Sequence, residues 1–104
     1  MEMNKERLLP IGSVVLVKGS IKKLVIVARG LAAKENEGLK IYDYGAVTYP
    51  EGLVGENLLN FDADSIEEVI YEGYSDEDEE RMEANIESWL EETRAKNVKG
   101  SDQL

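Results

Sequence analysis

Cysteine and histidine are both missing from this chain of 104 residues. Without cysteine there is no disulfide framework and no thiol chemistry. Without histidine the chain lacks the commonest general base and the usual nitrogen ligand of zinc. Long hydrophobic runs are missing too: nothing approaches the ~20 apolar residues of a membrane span, so membrane insertion is not expected. The opening "MEMNKERLLPIG" is charged and passes directly into a strand pattern, without the apolar core of a secretion signal. A cytoplasmic location is the expectation.

Basic residues are scarce, 12 Lys and Arg against 22 Asp and Glu, for a net charge of −10. Residues 1–40 hold 8 basic and 4 acidic side chains, whereas residues 41–104 hold 4 and 18. A polyanion would be repelled by most of such a surface, which argues against nucleic acid. A basic protein partner would be steered toward the acidic half, chiefly through its association rate.

What is present reads as one domain over residues 1–96 with a flexible tail at 97–104. The fold class is α+β, mainly β: an antiparallel sheet of four or five strands, a meander curled toward an SH3-like small barrel, covered by one long C-terminal helix. Strands are expected near 13–18, 23–31, 40–49 and 68–73. Val14 to Val17 and Leu24 to Ala28 are apolar runs that pair as the centre of the sheet. Gly19-Ser20 fits a tight hairpin turn between them. In "IYDYGAVTYPEG" a bulge at Gly45 would set Tyr42, Tyr44, Val47 and Tyr49 on one face. Leu53, Val54, Leu58, Leu59 and Phe61 are expected to pin the following loop, with Asp64 or Ser65 capping a helical turn at Ile66–Glu68.

Ser75 stands where a helix cap belongs, ahead of carboxylates that favour the positive end of the helix dipole. The helix is expected over about 76–96. Met82, Ile86, Trp89, Leu90 and Thr93 form one stripe roughly 100° wide, the face to lay on a sheet.

Chemistry finds little footing. Counting a calcium loop from Asp76 puts Arg81 where glycine is required, and "DAD" at Asp62–Asp64 has the same defect, so no metal site is assigned. Asp43, Glu67, Glu68 and Glu72 are acidic residues on or beside strands, with nothing to show that any two share a cleft. Serines lack a histidine to activate them, Ser20 beside Lys22 and Lys23 being better explained by a turn. No phosphate-cradling glycine loop occurs. The expectation is a non-enzyme with no catalytic residue and no cofactor. Lys18, Lys22 and Lys23 form the one basic patch, read either as guards of a sheet edge, the simpler account, or as a meeting place for an acidic partner or for the acidic half of a second copy of the chain.

"LPIGSVVLVKG", "KKLVIVARG", "YDYGAVTYPEG" and "FDADSIEEVIYEGY" together resemble domain-of-unknown-function family 4176 over about residues 8–95. The pattern matches at Leu9, Pro10, Gly12, Gly19 and Tyr42, at Tyr49 through Gly52, and at Glu72 through Tyr74. Members are small Firmicutes proteins commonly encoded beside LXG-type toxins and type VII secretion components. The resemblance implies a protein-binding adaptor or chaperone-like accessory in such a locus, and it carries no catalytic residues. An immunity protein that neutralises a toxin through its acidic surface is the alternative. The expected partner-binding residues are Tyr49, Pro50, Glu51 and Gly52, an exposed corner, with Tyr42 and Tyr44 as inner wall.

Overall fold

The computed structural model describes residues 8–36 and 38–103, with side chains to Lys96. Five strands, β1 (Val14–Val17), β2 (Leu24–Glu35), β3 (Gly38–Thr48), β4 (Leu59–Phe61) and β5 (Ile66–Tyr71), precede one helix, α1 (Glu77–Gln103). The strands form one antiparallel sheet in the order β4-β3-β2-β1-β5. The first three meander as expected, and β4, which the sequence pattern does not show, continues them beside β3. β5 then returns to the far side of β1.

That return forces the sheet to bend. Phe61 and Ile66 are five residues apart, a reach of about 17 Å even when fully extended. Four strand spacings of a flat sheet amount to about 19 Å. A 3₁₀ turn at Ala63–Ser65 shortens the reach further. The sheet therefore curls until its two edges draw near, although β4 and β5 do not pair and the barrel stays open. Ser65 fixes the geometry by accepting the Lys18 N–H at 2.8 Å.

The curl encloses the core. Val15, Ile26, Tyr44 and Ala46 are essentially inaccessible, and Leu8, Leu24, Ile41, Phe61 and Leu90 complete the cluster. Tyr44 packs on Phe61 with ring centroids 5.6 Å apart. Burial pushes the Tyr44 hydroxyl up to about 12 because the phenolate would lose its hydration.

Several expectations need correction. The bulge lies in β2, where Val27 is the extra residue between Ile26↔Ala46 and Ala28↔Gly45. β3 keeps simple alternation through Gly45, so Tyr44 and Ala46 both face the core. The fourth strand expected at 68–73 is β5 at 66–71, and β4 was not foreseen. Ile66–Glu68 opens β5 rather than forming a helical turn. Leu53 and Val54 pin nothing, being 59% and 73% exposed. The helix cap is Asp76, one residue beyond Ser75; its Oδ1 accepts the Glu79 N–H at 3.0 Å. The backbone remains helical to Gln103, beyond the end foreseen at Lys96. No proline intervenes, and a lone glycine such as Gly100 costs a helix only about 1 kcal/mol. Leu104 and the side chains of the foreseen tail lie outside the described residues.

The largest correction concerns the helix face. Met82 and Trp89 are 50% and 39% exposed. The seam against the sheet keeps Ile86, Leu90 and Thr93, with the Trp89 ring beside Gly30, but it also takes in Glu79, Glu83, Glu87 and Arg94, so four of its seven covered positions are charged. Sheet and segment partners explain why. Arg29, its side chain 4% exposed, grips Glu79 through both guanidinium nitrogens, one contact measuring 2.8 Å. The same Arg29 donates to the Leu9 carbonyl, while Leu9 N–H donates to Tyr44 Oη at 2.9 Å and Leu8 N–H to Glu83 at 3.2 Å. Helix and sheet also come close at Gly30, whose φ of +64° suits glycine. A Cβ there would stand 2.7 Å from Ile86 Cγ2.

A second close approach locks the N-terminal turn. Gly73 N–H donates to the fully buried Ser13 Oγ at 2.9 Å. A Cβ on Gly73 would lie 2.3 Å from the Ile11 carbonyl oxygen, a backbone atom that cannot swing away. Gly73→Ala should therefore lower stability by about 1–3 kcal/mol, read as a reduced urea midpoint at unchanged slope.

Candidate functional site

The corner begins where β3 ends. Tyr49 N–H donates to the Lys23 carbonyl at 2.9 Å, and Gly52 N–H donates to the Thr48 carbonyl at 2.8 Å. Thr48 and Gly52 pair as an isolated bridge, Gly52 has φ +80°, and the Tyr49–Pro50 bond is cis. The result is a short, closed turn at one end of the curled sheet. Tyr49 is half exposed, Pro50 and Glu51 are exposed, and Gly52 is partly covered.

Side chains tie this turn to the loop between β1 and β2. Lys22 Nζ meets Glu51 Oε2 at 2.8 Å. That hydrogen bond, with a smaller share from the Glu51 backbone, holds the Glu51 carboxyl below its usual range. The Lys23 ammonium stands 6.0 Å from the centre of the Tyr49 ring, the outer limit of a cation–π contact. The turn is exposed at Tyr49–Glu51, as its sequence suggests, and its partner loop is a finding of the structure. No signal in the sequence placed residues 18–23 beside residues 49–52, because long-range strand register decides it.

The other candidates separate in space and role. Tyr44 is wall, as expected, but Tyr42 lies at the surface and donates to Glu35 at 2.8 Å. That bond, foremost, raises its hydroxyl's pKa. Glu67, Glu68 and Glu72 are exposed on or just beyond β5.

Asp43 does meet a second carboxylate, Asp62, which the sequence reading did not pair with it. Asp43 N–H donates to Asp62 Oδ1 at 2.9 Å, and Ala63 N–H donates to Asp43 Oδ2 at 2.8 Å. Arg94 from α1 donates to both carboxylates at 3.1 Å and to the Ile41 carbonyl at 3.3 Å. Here the one carboxylate within a largely apolar strand is the available clue. The two carboxylates are thus engaged at three of their four oxygens by backbone and guanidinium donors. They fasten the 3₁₀ turn, β3 and the helix together and floor an open groove of about 620 Å³ that Lys40 and Asp64 also line.

Residues 8–82 match the sequence pattern of the family described as Domain of unknown function (DUF4176). The chain belongs to this family. No curated protein and no solved structure matches it. The family stretch takes in the entire sheet, the corner and the start of α1, and it ends before Glu83 and Arg94. Among the described residues no group of three or more acidic side chains is placed to hold a metal ion, and no helix is long and apolar enough to cross a membrane.

The fastener role of Arg94 gives a direct expectation. Arg94→Ala should cost about 1–3 kcal/mol through loss of charge-assisted hydrogen bonds, with faster amide exchange at Asp43 and Ala63. Unchanged exchange at those two amides would contradict it.

Proposed function

We propose that this domain is a non-enzymatic protein-binding module, a cytoplasmic adaptor or chaperone-like accessory that assists delivery of a secreted toxin. Family membership supports the setting, since related proteins are expected beside LXG-type toxins and type VII secretion components. The observation that carries the binding role is the corner itself. Tyr49 is an aromatic side chain half in solvent on a turn that is closed by backbone hydrogen bonds and braced by Lys22. Aromatic groups held rigid at low entropic cost are the usual anchors of protein interfaces.

The alternative, an immunity protein acting through acidic charge, draws on Glu77, Asp78, Glu79 and Glu80 in the first turn of α1. It predicts protection of toxin-expressing cells and association that slows with salt. The adaptor reading predicts neither, and instead predicts loss of toxin export when the protein is absent.

Tyr49→Ala should cut capture of the partner from cell extract at least tenfold, read by mass spectrometry, and leave the circular dichroism spectrum intact. Equal capture of the same toxin or secretion subunit by the folded variant would remove the corner from the account.

A further inference from the structure

The three lysines of the β1–β2 loop do not guard an edge. Their loop joins two interior strands, while the free edges belong to β4 and β5. Those edges are managed otherwise. β4 is only three residues long, and β5 carries glutamates and two register shifts against β1, each a recognised way of blunting an edge. The simpler account of Lys18, Lys22 and Lys23 is thereby withdrawn.

Around those lysines the surface is unusually apolar. Ile21 at the tip of the loop is 96% exposed, and Leu53 and Val54 are 59% and 73% exposed. Lys22–Glu51 and the backbone bond from Tyr49 to Lys23 join the two loops that carry them. Isolated exposed apolar residues are ordinary, but these three and the half-exposed Tyr49, on two mutually braced loops, make a patch. Residues 18–23 and 49–54 hold three lysines and a single glutamate, and that glutamate is already paired with Lys22. These two segments carry net positive charge on a chain of net charge −10, although Asp64 lies beside the Ser65 whose carbonyl accepts the Lys18 N–H.

We infer that this end of the sheet docks an acidic segment of a partner protein, anchored by apolar side chains against Ile21, Tyr49, Leu53 and Val54 and held by Lys18 and Lys23. Charge complementarity selects that occupant over the basic partner which the whole-chain charge suggests. It also disfavours a second copy, whose net charge of −10 would be brought against an equal one. The inference rests on the protein-binding reading and specifies the chemistry of what is bound.

The test uses two synthetic twelve-residue peptides, one alternating leucine with glutamate and the other leucine with lysine, titrated into the full chain and followed by amide chemical shifts. The acidic peptide should bind at least tenfold tighter although the protein as a whole repels it. Its shifts should centre on residues 18–23 and 49–54. Lys18→Glu with Lys23→Glu should reverse the preference, and Ile21→Ser with Val54→Ser should weaken the acidic peptide at least fivefold with the thermal midpoint unchanged.

Tighter binding of the basic peptide, shifts centred on Asp76–Glu80, or no shift with either peptide at millimolar concentration would each overturn the inference. So would a stable dimer in sedimentation that buries the same amides. The lysine-reversed variant also separates this failure from that of the parent reading. If it captures the cellular partner as well as the native chain does, only the charge assignment falls. If the native chain captures nothing, the module reading falls, and the peptides still decide the charge preference.

Discussion

A buried guanidinium needs partners, and those that meet the two terminal nitrogens of Arg29, whose Nε is buried without one, organise this domain. Its side chain comes from β2, is almost wholly withdrawn from water, and reaches both Glu79 of α1 and the carbonyl of Leu9. Three segments far apart in the chain are thus held by one group. Breaking such a pair by removing one partner costs about 3–5 kcal/mol, because the survivor stays buried and uncompensated. That penalty sets where the helix can lie and keeps the Leu8–Pro10 segment against Tyr44.

The charged seam follows from this. Once Glu79 must reach Arg29 and Arg94 must reach Asp43 and Asp62, the rotation of α1 is fixed at both ends. Leu90 is then buried and Ile86 partly so, while Met82 turns toward solvent and Trp89 stays part exposed with its ring beside Gly30. Apolar burial stabilises the helix, but ionic hydrogen bonds choose its face. The short connection from β4 to β5 does comparable work for the sheet, since it permits only a curled arrangement. Together these constraints leave the loops at residues 18–23 and 49–54 at one end, free of core duties.

Much of the architecture could be read from residue pattern alone, and the failures share a cause. Val14–Val17 and Leu24–Ala28 are strands because β-branched runs at that length admit little else. The helix declares itself through its acidic first turn. Tyr44 was rightly read as wall. Its alternation was misphased because the extra residue sits in the partner strand at Val27, and a bulge shows only once two strands are laid together. The helix face was misjudged because hydrophobic periodicity assumes an apolar seam, whereas Glu79, Glu83 and Arg94 are drawn in by Arg29, the Leu8 N–H and two aspartates. At the corner, Tyr49 to Gly52 could be named from the sequence as an exposed turn. Its neighbours Ile21 and Lys23 could not, because only register brings them there.

The placement of α1 depends most on the Arg29–Glu79 pair acting as a unit. A double-mutant cycle of Arg29→Ala and Glu79→Ala, measured by urea unfolding, tests this directly. The account predicts a coupling energy of at least about 1.5 kcal/mol, with the Arg29 substitution also speeding amide exchange at Leu9. Contributions that add within about 0.5 kcal/mol, the behaviour of independent sites, would show that the helix is placed by other contacts and contradict the central claim.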